Sequence, residues 1–97
     1  MPQNTTITLA VNDWTELTTA DVTAITFCNL GPSQILVKGT VGSVKPTNDL
    51  AAIPYNPAEG ESAVTLASLW PGLTGANRVW AYLPPSVPGT RVMVSHA

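Results

Sequence analysis

At 97 residues the chain has the length of one small domain, and its single cysteine excludes an internal disulfide. Hydrophobic residues at 44% suffice for a packed core and exclude wholesale disorder, whereas charged residues at 10% fall far below the roughly 25% of an average soluble domain. The formal net charge of -2 argues against a nucleic-acid binder, which carries a basic patch.

The first stretch, MPQNTTITLAVNDW, has no basic region followed by an apolar run of signal-peptide length, and no apolar stretch of the chain is long enough to span a bilayer. The expectation is synthesis in the cytoplasm and no membrane partner. Asn4-Thr5-Thr6 matches the glycosylation sequon, which without a secretory signal is a chance match. Thr5 to Val11 alternates, with Ile7, Leu9 and Val11 on one face, and predicts the first strand. Asn12-Asp13 predicts a turn, and Trp14 to Thr18 a short second strand in which Trp14, Glu16 and Thr18 oppose Thr15 and Leu17.

Asp21 to Val41, DVTAITFCNLGPSQILVKGTV, is the most clearly patterned stretch. Val22 to Asn29 is rich in β-branched and aromatic residues, Leu30-Gly31-Pro32-Ser33 interrupts it, and Ile35 to Val41 resumes the pattern. It predicts a hairpin in which Ile25 and Phe27 face one way while Ala24, Thr26 and Cys28 make a small, Thr-rich opposite face.

Gly42 to Asp49 predicts a loop that no continuous ladder crosses, because Pro46 lacks a donor. Ala51 to Tyr55 predicts a brief strand, and Pro57-Ala58-Glu59-Gly60-Glu61 a polar turn, a sequence that favours a sheet edge. Ser62 to Trp70, SAVTLASLW, supports a helix capped by Ser62, or a strand followed by a single turn at Ala67 to Trp70; we favour strand then turn. Arg78 to Leu83 predicts a strand with Arg78, Trp80 and Tyr82 opposite Val79, Ala81 and Leu83. Pro84 to Gly89 reads as a stiff connector, and Thr90 to His96 as a last strand pairing with its predecessor in a hairpin. About seven to eight short strands, at intervals of roughly ten residues, predict an all-β domain over residues 1–97, a small antiparallel β-sandwich or barrel.

No catalytic grouping emerges. The one histidine, His96, lies at the C-terminal end, where a chain tends to fray. Cys28 lies mid-strand among small residues and reads as a buried thiol, since a reactive thiolate needs a neighbouring cation or base. Glu59 and Glu61 offer two carboxylates where calcium takes about 6–8 oxygens, and read as solvated turn charges. With no phosphate loop, nucleophile elbow or metal-ligand spacing, the chain is expected to be no enzyme and to hold no cofactor or metal.

A poorly charged surface is suited to being covered by neighbours, so assembly is the expected lifestyle. Trp80 and Tyr82 beside Arg78 admit three roles: core filling with Val79, Ala81 and Leu83 outside, a subunit interface, or a stacking platform for sugars. We rank core or interface above the platform. Trp70, Pro71, Arg78, Trp80 and Tyr82 are the candidate interface residues.

Trp14-Thr15-Glu16-Leu17 leading into VTAITFCNLGPSQILVKGT, then Pro46, the Asn56-Pro57-Ala58-Glu59-Gly60-Glu61 turn, Leu69-Trp70-Pro71-Gly72 and the closing RVWAY and RVMVSHA segments resemble small structural proteins of tailed bacteriophages. The resemblance covers most of the chain. It implies β-sandwich subunits forming trimers or higher homo-oligomers on a virion, with no catalytic residues. On this basis the expected function is that of a capsid decoration or head-associated subunit, bound to a major capsid protein or another virion protein. The rival is a carbohydrate or host-surface binding module of a fibre, spike or tail tip.

Overall fold

The computed structural model describes residues 3–85 and 89–96. Alternating apolar residues build eight strands: β1 (Gln3–Thr8), β2 (Asp13–Glu16), β3 (Ala24–Gly31), β4 (Ile35–Thr40), β5 (Ile53–Tyr55), β6 (Gly60–Thr65), β7 (Arg78–Leu83) and β8 (Arg91–His96). One helical turn, α1 (Leu66–Leu69), follows β6. The strands form two four-stranded antiparallel sheets, ordered β1-β8-β3-β6 and β2-β7-β4-β5.

The pairings are nested, β1 with β8, β2 with β7, β3 with β6 and β4 with β5. A chain doubled back at residues 41–52, with the double ribbon wound across two layers, gives this order. It is the strand order of a jelly roll, a form of the expected β-sandwich.

Two expected hairpins are corrected by this order. β3 and β4 lie in opposite sheets, as do β7 and β8. Gly31, with φ at +85°, and Pro32 swing the chain from one sheet to the other. Both strands still bury every second residue, since each faces the same core from its own side: Ile25 and Phe27 from β3, Ile35 and Val37 from β4. Period-two burial is therefore the same for a hairpin and for a crossover between layers. Of the connector between β7 and β8, residues 86–88 lie outside the described residues.

The first strand ends earlier than expected. Ladder pairing stops at Thr8, Leu9 is buried, and Val11 is exposed as the chain crosses between the sheets. β5 is the edge strand its proline predicts, with Pro54 exposed. Ser62 to Trp70 resolves as strand, then a single turn of helix, with Thr65 as the cap accepting from the Ser68 amide at 3.2 Å.

The core lies between the layers, where Phe27 of one sheet meets Tyr55 of the other edge-to-face at 5.0 Å. Trp70 closes one end of it. A Cβ on Gly39 would lie 2.6 Å from the Trp70 ring, so the absent side chain on β4 is the space the indole occupies. The indole Nε1 donates to the carbonyl of Ala51 at 2.9 Å.

Candidate functional site

The two outer faces of the sandwich differ in chemistry. On the β2-β7-β4-β5 sheet, register places Trp14 opposite Tyr82 and Glu16 opposite Trp80, with Leu36 and Lys38 opposite the same pair on the other flank. Val79, Ala81 and Leu83 point inward and are fully buried, so Trp80 and Tyr82 do not fill the core. The reading that left those three aliphatic residues outside is corrected.

Trp80 is nonetheless only 6% exposed, between Glu16 and Lys38 in the register, and the long loop of residues 41–52 folds back over this sheet. Lys45 ties the loop to Asp13 on β2 at 3.1 Å, and Lys38 on β4 holds the Oδ1 of Asn48 at 2.9 Å. Since β7 lies between β2 and β4, a loop fastened to both crosses β7. Within the loop Pro46 is buried, and the amide of Gly42 is held by Asn77 at 2.7 Å. The Lys45 ammonium and the backbone amide of Trp14 hold the Asp13 carboxyl below the usual carboxylate range.

The five residues expected at an interface lie in different settings. Trp70 is 5% exposed and belongs to the core, whereas its neighbour Pro71 is exposed. Arg78 is occupied, its Nη1 donating to Glu16 at 2.8 Å and its Nε to Asp21 at 2.9 Å, and these two carboxylates hold it further toward its charged form. Trp80 donates through Nε1 to the hydroxyl of Thr40 at 3.0 Å. Tyr82 is half-buried, packs against Trp14 with ring centroids 5.2 Å apart, and donates its hydroxyl to Asn12.

The loop and the aromatic pair enclose a recess of about 240 Å³ lined by Trp14, Thr47, Asn48, Asp49 and Tyr82. Sequence reasoning missed Trp14, Thr47, Asn48 and Asp49. The alternation within each strand was legible, but neither the pairing that sets Trp14 beside Tyr82 nor the fold-back that brings residues 47–49 onto the same face has a local signal. The unusual length of the connection between β4 and β5 was the only pointer.

The opposite outer face, on the β1-β8-β3-β6 sheet, carries Thr6 and Thr8 from β1, Thr26 and Cys28 from β3, and Met93 and Ser95 from β8. Arg91 is its one charged residue among the described ladder positions of these three strands. Cys28, expected as a buried thiol, is half-buried on this face. A depression of about 600 Å³ opens at one end, lined in part by Thr23, Thr26, Ala63 and Ser95.

The remaining polar residues support the scaffold. His96, expected near a fraying end, is buried at the end of β8, where its Nε2 accepts from the Thr19 amide at 3.3 Å. Glu59 accepts from the Asn56 amide at 2.7 Å and closes the turn, and Glu61 accepts from the Tyr55 hydroxyl at 3.1 Å. Both were read as solvated turn charges: Glu59 is exposed in the turn, whereas Glu61 is half-buried, and each also holds a partner. Among the described residues, no three His, Cys, Asp or Glu side chains gather in metal-binding proximity, and no helix is long and apolar enough to cross a membrane. No protein family, no curated protein and no solved structure matches the chain.

Proposed function

We propose that the protein is a non-catalytic virion structural protein of a tailed phage or phage-like particle, a capsid decoration or head-associated subunit that adheres through the outer face of its β1-β8-β3-β6 sheet. The observation that carries this reading is the composition of that face: threonine, serine, methionine and cysteine on the sheet, with Arg91 the one charge among the described ladder positions of β1, β3 and β8. Charge-poor surfaces lose little on desolvation and gain about 25 cal/mol for each Å² of apolar area covered. The body measures 33 × 26 × 19 Å, so its broad side approaches the ~800 Å² per partner of a standard interface. Contacts of that kind, repeated over many copies, hold a coat on a particle even where one contact is weak. With Trp70 and Trp80 buried and Arg78 already paired, this face offers more free surface than the residues singled out from sequence.

The test is solution mass by light scattering across a concentration range, for the parent chain and for Met93→Glu. A trimer or larger homo-oligomer that dissociates in the variant, with the β-sheet circular dichroism unchanged, supports the reading. A chain that stays monomeric at the highest attainable concentration, and that neither variant nor parent attaches to particles, overturns it.

A further inference from the structure

We propose that the recess between the Trp14–Tyr82 pair and the 47–49 segment binds one neutral saccharide ring, a function separate from adhesion through the opposite face. The argument starts from which polar groups are left over. In a folded chain most side-chain donors and acceptors near the surface are engaged or face open water. Among the described residues, the Asp49 carboxylate, the Thr47 hydroxyl and the Trp14 indole N–H have no hydrogen-bond partner, and all three residues line the same recess. Tyr82, half-buried with its hydroxyl held by Asn12, supplies a fixed aromatic wall. An aromatic wall with a mixed set of free donors and acceptors matches a ring that has apolar C–H faces and hydroxyls around its rim. Asp49 can accept from two adjacent hydroxyls in charge-assisted bonds.

The recess is also preformed. Asn48 spends its side-chain oxygen on Lys38 and on the Leu50 amide, at 2.9 and 3.1 Å, which fixes the loop that presents Thr47 and Asp49. Lys45 fixes the start of that loop on Asp13. Little ordering remains to be done when a ligand arrives, which favours binding by a small ligand. At about 240 Å³ the space falls below the ~300–1,000 Å³ of drug-sized sites, so it takes one ring. The one charge on the lining is the Asp49 carboxylate, which accepts from sugar hydroxyls, while the nearby Asp13 carboxylate is already taken by Lys45 at 3.1 Å; lysine and guanidinium are the competing cationic occupants.

The experiment is a titration of the intact chain, followed by amide and indole N–H shifts in NMR. The probes are free glucose, galactose, mannose and N-acetylglucosamine, with lysine and guanidinium as cationic controls. The same chain is then applied to a glycan array to separate free sugars from the terminal residues of surface glycans. The expected result is a saturable shift of the Trp14 indole N–H with at least one sugar, and array binding to glycans ending in that sugar. Asp49→Ala and Thr47→Val, both at exposed loop positions that leave the fold intact, each weaken binding by about tenfold or more. Pro71→Ala leaves it unchanged. The proposal is overturned if none of the four sugars shifts the indole signal, if lysine or guanidinium does so in their place, or if both loop variants bind as the parent does.

Discussion

The side-chain amide of Asn29 on β3 donates to the backbone carbonyl of Tyr55 on β5 at 3.0 Å, tying one sheet of the sandwich to the edge strand of the other. The same amide donates to the carbonyl of Ser33 at 2.8 Å, and its oxygen accepts from the amide of Gly31 at 2.9 Å. Asn29 is fully buried, so all three bonds are made away from water. Replacing it by leucine keeps the branched shape and removes all three bonds. At roughly 0.5–1.5 kcal/mol for each hydrogen bond removed, Asn29→Leu is expected to cost about 2–4 kcal/mol, read as a lower urea midpoint at unchanged slope. A loss below about 1 kcal/mol would mean that water replaces the side chain.

Gly39 and Trp70 give the second prediction. A methyl group at position 39 would sit 2.6 Å from a ring carbon, against the ~3.5–4.0 Å of an unstrained contact. The indole is held by Ala51 and has little freedom to withdraw. Gly39→Ala is expected to lose about 1–3 kcal/mol by overpacking and to red-shift tryptophan emission as the ring is displaced. Adding Trp70→Phe, with its smaller ring, should recover part of that loss, and strict additivity of the two changes would rule out the contact.

Asp13 gives a prediction in pH. Its carboxyl titrates below the ordinary range because Lys45 and the Trp14 amide favour the charged form. A carboxylate depressed in the fold stabilises the chain above its unfolded value near pH 4, and that contribution fades as pH falls through the lower folded value. In Lys45→Gln the Asp13 midpoint, followed by carboxyl NMR, should move up toward the ordinary range. An unmoved midpoint would show that the ion pair does not persist in solution.

Tyr55 sets an alkaline limit. Burial, with the Glu61 carboxylate beside it, pushes its hydroxyl well above the ordinary phenol range. The unfolded chain therefore releases this proton first, near pH 10, while the folded chain keeps it, so stability falls as pH rises above about 10. Tyr55→Phe should flatten that fall in denaturation curves between about pH 9 and 11. A variant with the same alkaline slope as the parent would assign the effect elsewhere.

The strands were legible because side chains alternate, and Arg78 to Leu83 was placed to the residue with its two alternating sets separated, though not which of them faces the core. The partner of each strand was not. Ile25 and Ile35 belong to neighbouring strands in sequence and to facing sheets in space, and nothing in their spacing separates these two cases. The setting of Trp80 was hidden for a related reason: it belongs to the outward set yet is buried, on a sheet crossed by residues 41–52, whose path is fixed by Lys45–Asp13 and Lys38–Asn48. Those contacts join residues distant along the chain, so they appear only once the sheet order is known.

Because β1 and β8 are neighbours, with Gln3 opposite His96, the two outermost strands finish side by side at one corner of the sandwich. A polypeptide leading into β1 and one leaving β8 would share that corner, a few ångströms apart. The fold can thus be spliced into a surface turn of another protein as a single excursion, its two connections entering and leaving together.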